Sequence, residues 1–392
     1  MNVTYNNKPA IMRRNGRLVA GEIAYKQRFS IDLSTTDKWT TLAPGKHTLQ
    51  IVAKADGYID SDKSDPIEFE IPPDYLCFTA EEAGSTVAMA VKGTPTKGQA
   101  FETSTDGTSW SVFTPGTTTI TLANAGDKVY FRGDNTTVSE SDSIYYKFVM
   151  SGKIAASGNI MSLLDKTCKS TTISNNYCYS SMFYGCTSLT TAPALPATNL
   201  ANDCYSNMFY GCTSLTTAPA LSATTLANDC YSSMFADCAS LTTASALPAT
   251  TLADYCYSNM FAGCTSLTTA PELPATTLAD YCYSSMFSDC KSLTTAPELP
   301  ATTLADNCCS NMFYSCTSLT TAPELPATTL ASSCYSYMFF DCSKLKVNTT
   351  SGNKIFTCPT TIPTEAVTDM FTSTGGTFTG TPTEGTTYYY AA

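Results

Sequence analysis

Apolar and polar positions along the second half of the chain follow one template, and the template returns every 26 residues. A Met-Phe pair starts at Met182, Met208, Met234, Met260, Met286, Met312 and Met338, and the copy starting at Cys256 reads CYSNMFAGCTSLTTAPELPATTLADY. Copies begin at Cys178, Cys204, Cys230, Cys256, Cys282, Cys308 and Cys334, and the last decays after Leu345. A fixed period of this length marks stacked units, each burying its apolar side against its neighbours. A further pair, Met370-Phe371, follows at a broken interval and is expected in a C-terminal cap, because end units must turn a polar face to water.

On a helical wheel at about 100° per residue, the Cys, Tyr, Met, Phe and second Cys of CYSxMFxxC share one arc. The fourth, seventh and eighth positions, which vary between copies, fall outside it. The spacing predicts a short helix or helical turn packed inward through a ladder of Cys204, Met208, Phe209 and Cys212, then Cys256, Met260, Phe261 and Cys264. The TSLTTAPELP that follows spaces Leu267, Ala270 and Leu273 by three and closes with Pro274, which reads as a short strand and a turn. Stacked at about 4.8 Å per rung, seven copies would make a rod of roughly 30–35 Å.

Met260-Phe261-x-x-Cys264, continued by Leu267, Ala270, Leu273-Pro274 and Leu278, resembles the BspA-type leucine-rich repeat. The resemblance spans about residues 168–345, with Met where that family usually has Ala before the Phe, and with longer repeats than its common ones. It implies adhesion and surface recognition, in bacteria, phages and protists of mucosal habitats, and no chemistry.

Ahead of the repeats, alternation marks strands. HTLQIVAKA follows Gly45, and Ile67–Ile71 forms a second run before Pro72-Pro73. LAPGKHTLQIVAKADGY is similar to the closing hairpin of fibronectin type III or bacterial Ig-like modules. From residue 74, STVAMAV is expected to place Val87, Met89 and Val91 on one face, with SWSVFTP and DKVYFRG as further strands. The stretch from Ala155 to Cys168 is expected to cap the first rung. The expected fold is mostly β with short helices: β-sandwich-like domains at 1–73 (Ig-like) and 74–160, a leucine-rich-repeat solenoid at 161–345 and a C-terminal cap at 346–392.

Composition excludes several functions. The chain has 43% hydrophobic and 14% charged residues, too much apolar and too little charged material for disorder. A net charge of −11 repels phosphate backbones, so nucleic acid is not an expected partner. No apolar run reaches the roughly 20 residues that cross a bilayer. The first eight residues lack the charged start and apolar stretch of a secretion signal.

Candidate chemistry is sparse. Of 18 cysteines, fourteen fall in two columns at period 26, which run along an axis and do not converge like metal ligands. Disulfides between rungs fit a step of about 5 Å, and buried reduced thiols fit the inner arc. With His47 as the single histidine, no nucleophile–base pair is available. The column Glu272, Glu298 and Glu324 has the spacing of paired carboxylates but no pocket, and reads as a solvated strip. Of each adjacent threonine pair, as in Thr216-Thr217 and Thr276-Thr277, one side chain is expected on a given face. Catalysis, cofactor and metal are therefore not expected.

Aromatics at the variable positions are the candidate ligand contacts: Tyr177, Tyr184, Tyr210, Tyr255, Tyr281, Tyr314, Tyr337 and Phe340. The plainer reading is a partly buried rim packed between rungs. The expected function is a non-enzymatic binding or structural protein that recognises a protein or glycan on a host cell or mucosal surface, with a homo-oligomer allowed. The composite of leader domains and repeats resembles virion proteins of phages infecting gut Bacteroidales. That resemblance implies a virion-surface location, as head decoration or tail fibre, with the N-terminal domains on other virion proteins. A bacterial cell-surface adhesin of the BspA type is the alternative.

Overall fold

The computed structural model describes residues 73–391 and, ahead of them, only the segments 2–4, 13–14, 17–18, 30–32, 45–49 and 66–71. The chain divides into two compact units, Met1–Asp74 and Tyr75–Ala392. In the first, β1 (Asn2–Thr4) pairs with β4 (Ser30–Asp32), β2 (Arg13–Arg14) with β3 (Arg17–Leu18), and β5 (Gly45–Leu49) with β6 (Ile67–Ile71), all antiparallel. The rest of the Ig-like expectation lies outside the described residues.

The second unit begins with β7 (Leu76–Ala80), β8 (Ser85–Lys92), β9 (Phe101–Ser104), β10 (Ser111–Phe113), β11 (Thr119–Leu122), β12 (Lys128–Gly133), β13 (Tyr145–Ser151) and β14 (Ile154–Ser157). They form two sheets, in the orders β10-β9-β12-β7-β14 and β11-β8-β13. The sheets pack through Phe78 and Phe131, whose rings meet Phe148 edge-on at 4.8 and 5.2 Å. Val87 and Met89 of β8 face this core, but Val91, expected on the same face, is 36% exposed. On the outer surface, Arg132 lies 3.9 Å over the Trp110 ring and bonds Glu102 at 2.7 Å.

The repeats differ from the sequence expectation in local conformation: CYSxMFxxC is not helical, and among the first six copies the limb after it forms a regular strand only in the first, Leu189–Thr191. A single 3-10 turn, Ile160–Leu163, is the only helical element among the described residues. The segment is instead a chain of four-residue turns. Residues before the first Cys, and at the fourth and eighth positions, have left-handed backbone, as in Tyr255 (φ 56), Asn259 (φ 54) and Gly263 (φ 71). Even-numbered amides close the turns, with Ser258 N donating to Tyr255 O at 3.0 Å and Met260 N to Tyr257 O at 3.2 Å. Odd-numbered amides leave the rung: Tyr257 N donates to Cys282 O (3.1 Å), Asn259 N to Ser284 O (2.8 Å) and Phe261 N to Met286 O (2.9 Å). Each amide from Tyr255 to Cys264 thus has a partner, as interior backbone requires. The first two residues, the Met-Phe pair and the ninth residue point inward, so the ladder Cys204, Met208, Phe209, Cys212, Cys256, Met260, Phe261 and Cys264 is fully buried, and the serine at the third position is largely covered as well.

Both ends of this hydrogen-bond ladder are closed. At the first rung, Cys178 O accepts from Val138 N and Ser139 N, Met182 O from Phe148 N at 2.8 Å, and Tyr184 O from Lys147 Nζ at 3.2 Å. Phe148 of β13 thus occupies the place a preceding repeat would fill. Its ring stacks on Phe183 at 5.3 Å and starts a column running through Phe209, Phe235, Phe261, Phe287, Phe313 and Phe339 to Phe371. β14 likewise pairs in parallel with β15 (Leu189–Thr191) of the first repeat. The sandwich and the repeats share one core, with no break at residue 160.

At the other end, Met370-Phe371 belongs to an eighth rung. Tyr335 N donates to Ala366 O and Phe339 N to Met370 O. The six extra residues before it lie in an insertion that carries β16 (Lys346–Asn348) and β17 (Asn353–Thr357). Two more strands, β18 (Gly375–Gly376) and β19 (Thr387–Tyr390), join these in a four-stranded sheet. A Cβ on Gly376 would run into the Val347 backbone, so the close parallel approach of β18 to β16 needs glycine. Of the outgoing amides of this last rung, Asp369 N, Phe371 N and Ser373 N reach Thr381 Oγ1, Gly380 O and Thr379 Oγ1.

Left-handed backbone at the fourth position sets the tolerance of the repeat. Ser285 (φ 54) is one such residue. Ser285→Val is expected to destabilise by about 1–2 kcal/mol, and Ser285→Gly to be near neutral, in chemical denaturation followed by circular dichroism. Equal effects would contradict the turn geometry.

Candidate functional site

The four-residue period decides which side chains reach solvent. Each rung turns its seventh and eighth residues, its fourth and the residue before the first Cys outward, so these variable positions line up along the stack as columns. The candidate aromatics sit in these columns and associate in groups. Tyr184 and Tyr210 stack at 5.0 Å, Tyr255 and Tyr281 at 4.4 Å, and Tyr314 and Phe340 at 4.9 Å, with Tyr337 beside Phe340 at 5.9 Å. Tyr177 stands apart from these, next to Asp203, whose charge raises the pKa of its phenol. Only Tyr184 (38%) and Tyr255 (37%) are strongly exposed; the others are half-buried. Stacking leaves ring edges along each column and a bare face where a stack ends.

Beside the Tyr184–Tyr210 stack, toward the middle copies, lies a trough of about 390 Å³. Its floor is Ala236, Ala262 and Gly263, and Tyr210, Ser233, Asp237, Asn259, Asp289 and Lys291 stand around it. A hydrogen bond to Asp237 pushes the Tyr210 phenol up to about 12. Lys291 Nζ lies 3.9 Å from Asp289 Oδ1. Sequence reasoning passed over these polar residues. Their signal was the loss of aromatics from the seventh position in the middle copies, Ala236, Ala262 and Ser288.

A second column is acidic. Asp280 N donates to Asp254 Oδ1 (3.1 Å) and Asp306 N to Asp280 Oδ1 (3.0 Å), so these carboxylates tie one rung to the next. Asp229 is pushed up to about 6, first by burial and then by Asp203 and Asp254.

The other candidates lie elsewhere. Glu272, Glu298 and Glu324 are exposed on the opposite limb, with Lys354 Nζ 3.2 Å from Glu324. Thr216, Thr217, Thr276 and Thr277 are all exposed, on a limb that makes isolated parallel bridges such as Thr251 with Thr277. All 18 cysteines are buried. The ninth-position thiols donate to the phenylalanine carbonyl of the preceding rung, as Cys264 Sγ to Phe235 O at 3.1 Å, and burial pushes thiols such as Cys256 and Cys316 up to about 12. No cluster of His, Cys, Asp and Glu suited to a metal occurs among the described residues.

A protein-family model described as the BspA type leucine-rich repeat region matches in 6 copies, over residues 166–294 and 229–360. No curated protein and no solved structure matches the chain.

The acidic column makes stability depend on pH. Asp229 has a folded pKa above its unfolded value, so its contribution is present at low pH and is lost as pH rises through about 6. Asp229→Asn, which keeps a side chain that tolerates φ 54 at this position, is expected to raise the melting temperature at pH 7.5 and leave it unchanged at pH 4. A variant less stable than the wild type at pH 7.5 would refute the assignment.

Proposed function

Residues 166–360 are a BspA-type leucine-rich-repeat region, and from that premise we propose that the chain is a non-enzymatic, adhesion-type binding protein. Its repeats form a solenoid, and its turn face meets a protein or glycan on a cell or mucosal surface. The observation that carries this reading is the grouping of aromatics on that face, where stacked, half-buried rings offer rigid contact area at little entropic cost. The thiols are buried, and burial raises the pKa of most of them, as at Cys256, while a hydrogen bond from Cys309 lowers that of Cys308; their lack of access to solvent favours binding over catalysis.

The finer placement we propose is a virion surface, with the N-terminal domains seated on other virion proteins. The composite resemblance of leader domains and repeats supports it. A BspA-type adhesin on a bacterial surface is the competing location.

Adherence of the full chain to mucin-coated and host-cell surfaces tests the turn face. Tyr255→Asn, Tyr281→Asn and Tyr337→Asn combined introduce a residue found at the same positions in other copies, Asn307 and Asn311. The combined variant is expected to keep its melting temperature and lose most adherence; undiminished adherence would remove these three tyrosines as ligand contacts. Location is read by mass spectrometry of purified particles and of host envelopes from one culture. Stoichiometric copies in particles are expected, and presence in envelopes alone would assign the protein to the cell surface.

A further inference from the structure

The seventh column of the repeat is aromatic at both ends and small in its middle: Tyr184 and Tyr210, then Ala236, Ala262 and Ser288, then Tyr314 and Phe340. In each aromatic pair the rings are nearly parallel, 7° and 2° apart, and stacked from one rung to the next. Their planes therefore lie across the axis of the stack. One face of Tyr210 is covered by Tyr184, and its other face borders the rung of Ala236. One face of Tyr314 is covered by Phe340, and its other face borders the rung of Ser288. Two tyrosine faces thus look toward each other along the axis across four rung steps, about 19 Å at roughly 4.8 Å per step.

The space between them holds a polar trough that starts at Tyr210 and reaches the rung of Asp289, one rung short of Tyr314. Asp237 is set by two neighbours: it takes the Tyr210 hydroxyl, and it leans over Gly263, where any Cβ would collide with its carboxylate. Asn259 donates its amide nitrogen to Ser258 Oγ at 3.0 Å, which fixes the amide and leaves its oxygen to accept. Asp289, paired loosely with Lys291, adds a second carboxylate on the far side of the trough.

We propose that this saddle binds a short neutral oligosaccharide laid along the stack, with sugar rings against Tyr210 and Tyr314 and hydroxyls bonded to Asp237, Asn259 and Asp289. The inference rests on the reading of the turn face as a binding surface and names its ligand class. A pyranose offers what the site asks for, an apolar C–H face for a tyrosine ring and paired hydroxyls for a carboxylate or amide. An apolar ligand would desolvate Asp237, Asn259 and Asp289 without replacing their hydrogen bonds. An anionic ligand would meet two carboxylates on a chain of net charge −11.

The test is an array of neutral oligosaccharides and released mucin glycans, probed with the full chain and two variants. Ala262→Tyr fills the trough with the residue that other copies carry at this position, and Tyr210→Ala removes one wall with the residue found at Ala236. Both substitutions are borrowed from sister repeats, and an unchanged melting curve verifies the fold. Wild type is expected to bind neutral glycans, and each variant to lose roughly tenfold or more, the scale of one aromatic contact. The proposal is overturned if the wild type binds no neutral glycan at roughly millimolar concentration, if it binds only charged ones, or if Ala262→Tyr binds like wild type. Failure here is separable from failure of the adhesion reading. If Ala262→Tyr keeps mucin adherence while the Tyr255, Tyr281 and Tyr337 variant loses it, the saddle falls and the turn face stands. If the wild type adheres to nothing, both fall.

Discussion

Alternate amides crossing from rung to rung are the interaction on which the rest of the structure depends. In each turn segment five N–H groups, from Tyr255 to Gly263 in the fourth copy, donate to carbonyls of the following copy. All of these bonds run the same way along the stack. The arrangement leaves bare carbonyls at one end and bare amides at the other, two unlike problems that need unlike caps. The carbonyl end is met by donors of the sandwich, including the Lys147 ammonium, and the amide end by the oxygens of Thr379, Gly380 and Thr381. Neither cap could replace the other.

The same ladder explains the interior. Crossing bonds repeat at a constant step, so identical residues fall above one another and like must pack on like. Flat rings and thiols suit that demand. Phenylalanine stacks on phenylalanine at 5.2–5.8 Å, and the ninth-position cysteine is small enough to fit and polar enough to donate to the phenylalanine carbonyl one rung back. A serine there would present a stronger polar group to an apolar column, and an alanine would leave a void.

Much of this was legible in the sequence, because the period of 26 residues and the in–out pattern are properties of residue identity alone. What misled was the conformation. Over nine residues a period of four is hard to tell from one of 3.6, so CYSxMFxxC satisfied a helical wheel while adopting consecutive turns. The signal for turns was present in the Asn, Asp, Ser and Gly at the fourth and eighth positions, the residues that visit left-handed backbone most readily. Phe148 could not be recognised as the start of the aromatic column, since KFVM reads as an ordinary strand and its partner lies 35 positions away at Phe183. The eighth rung hid behind its six-residue insertion. The trough was hidden for a different reason: it is made by small residues in a column that is aromatic in other copies, and binding side chains draw the eye to the places that have them.

Ala236, Ala262 and Ser288 give the saddle a length counted in whole copies. Tandem copies with near-identical coding sequence can be gained or lost by recombination, and each event inserts or deletes one complete rung while both caps still find the partners they were built for. A gene of this design can therefore lengthen or shorten the gap between the bare faces of Tyr210 and Tyr314 in steps of a single rung, and evolve toward longer or shorter ligands without redesigning either wall.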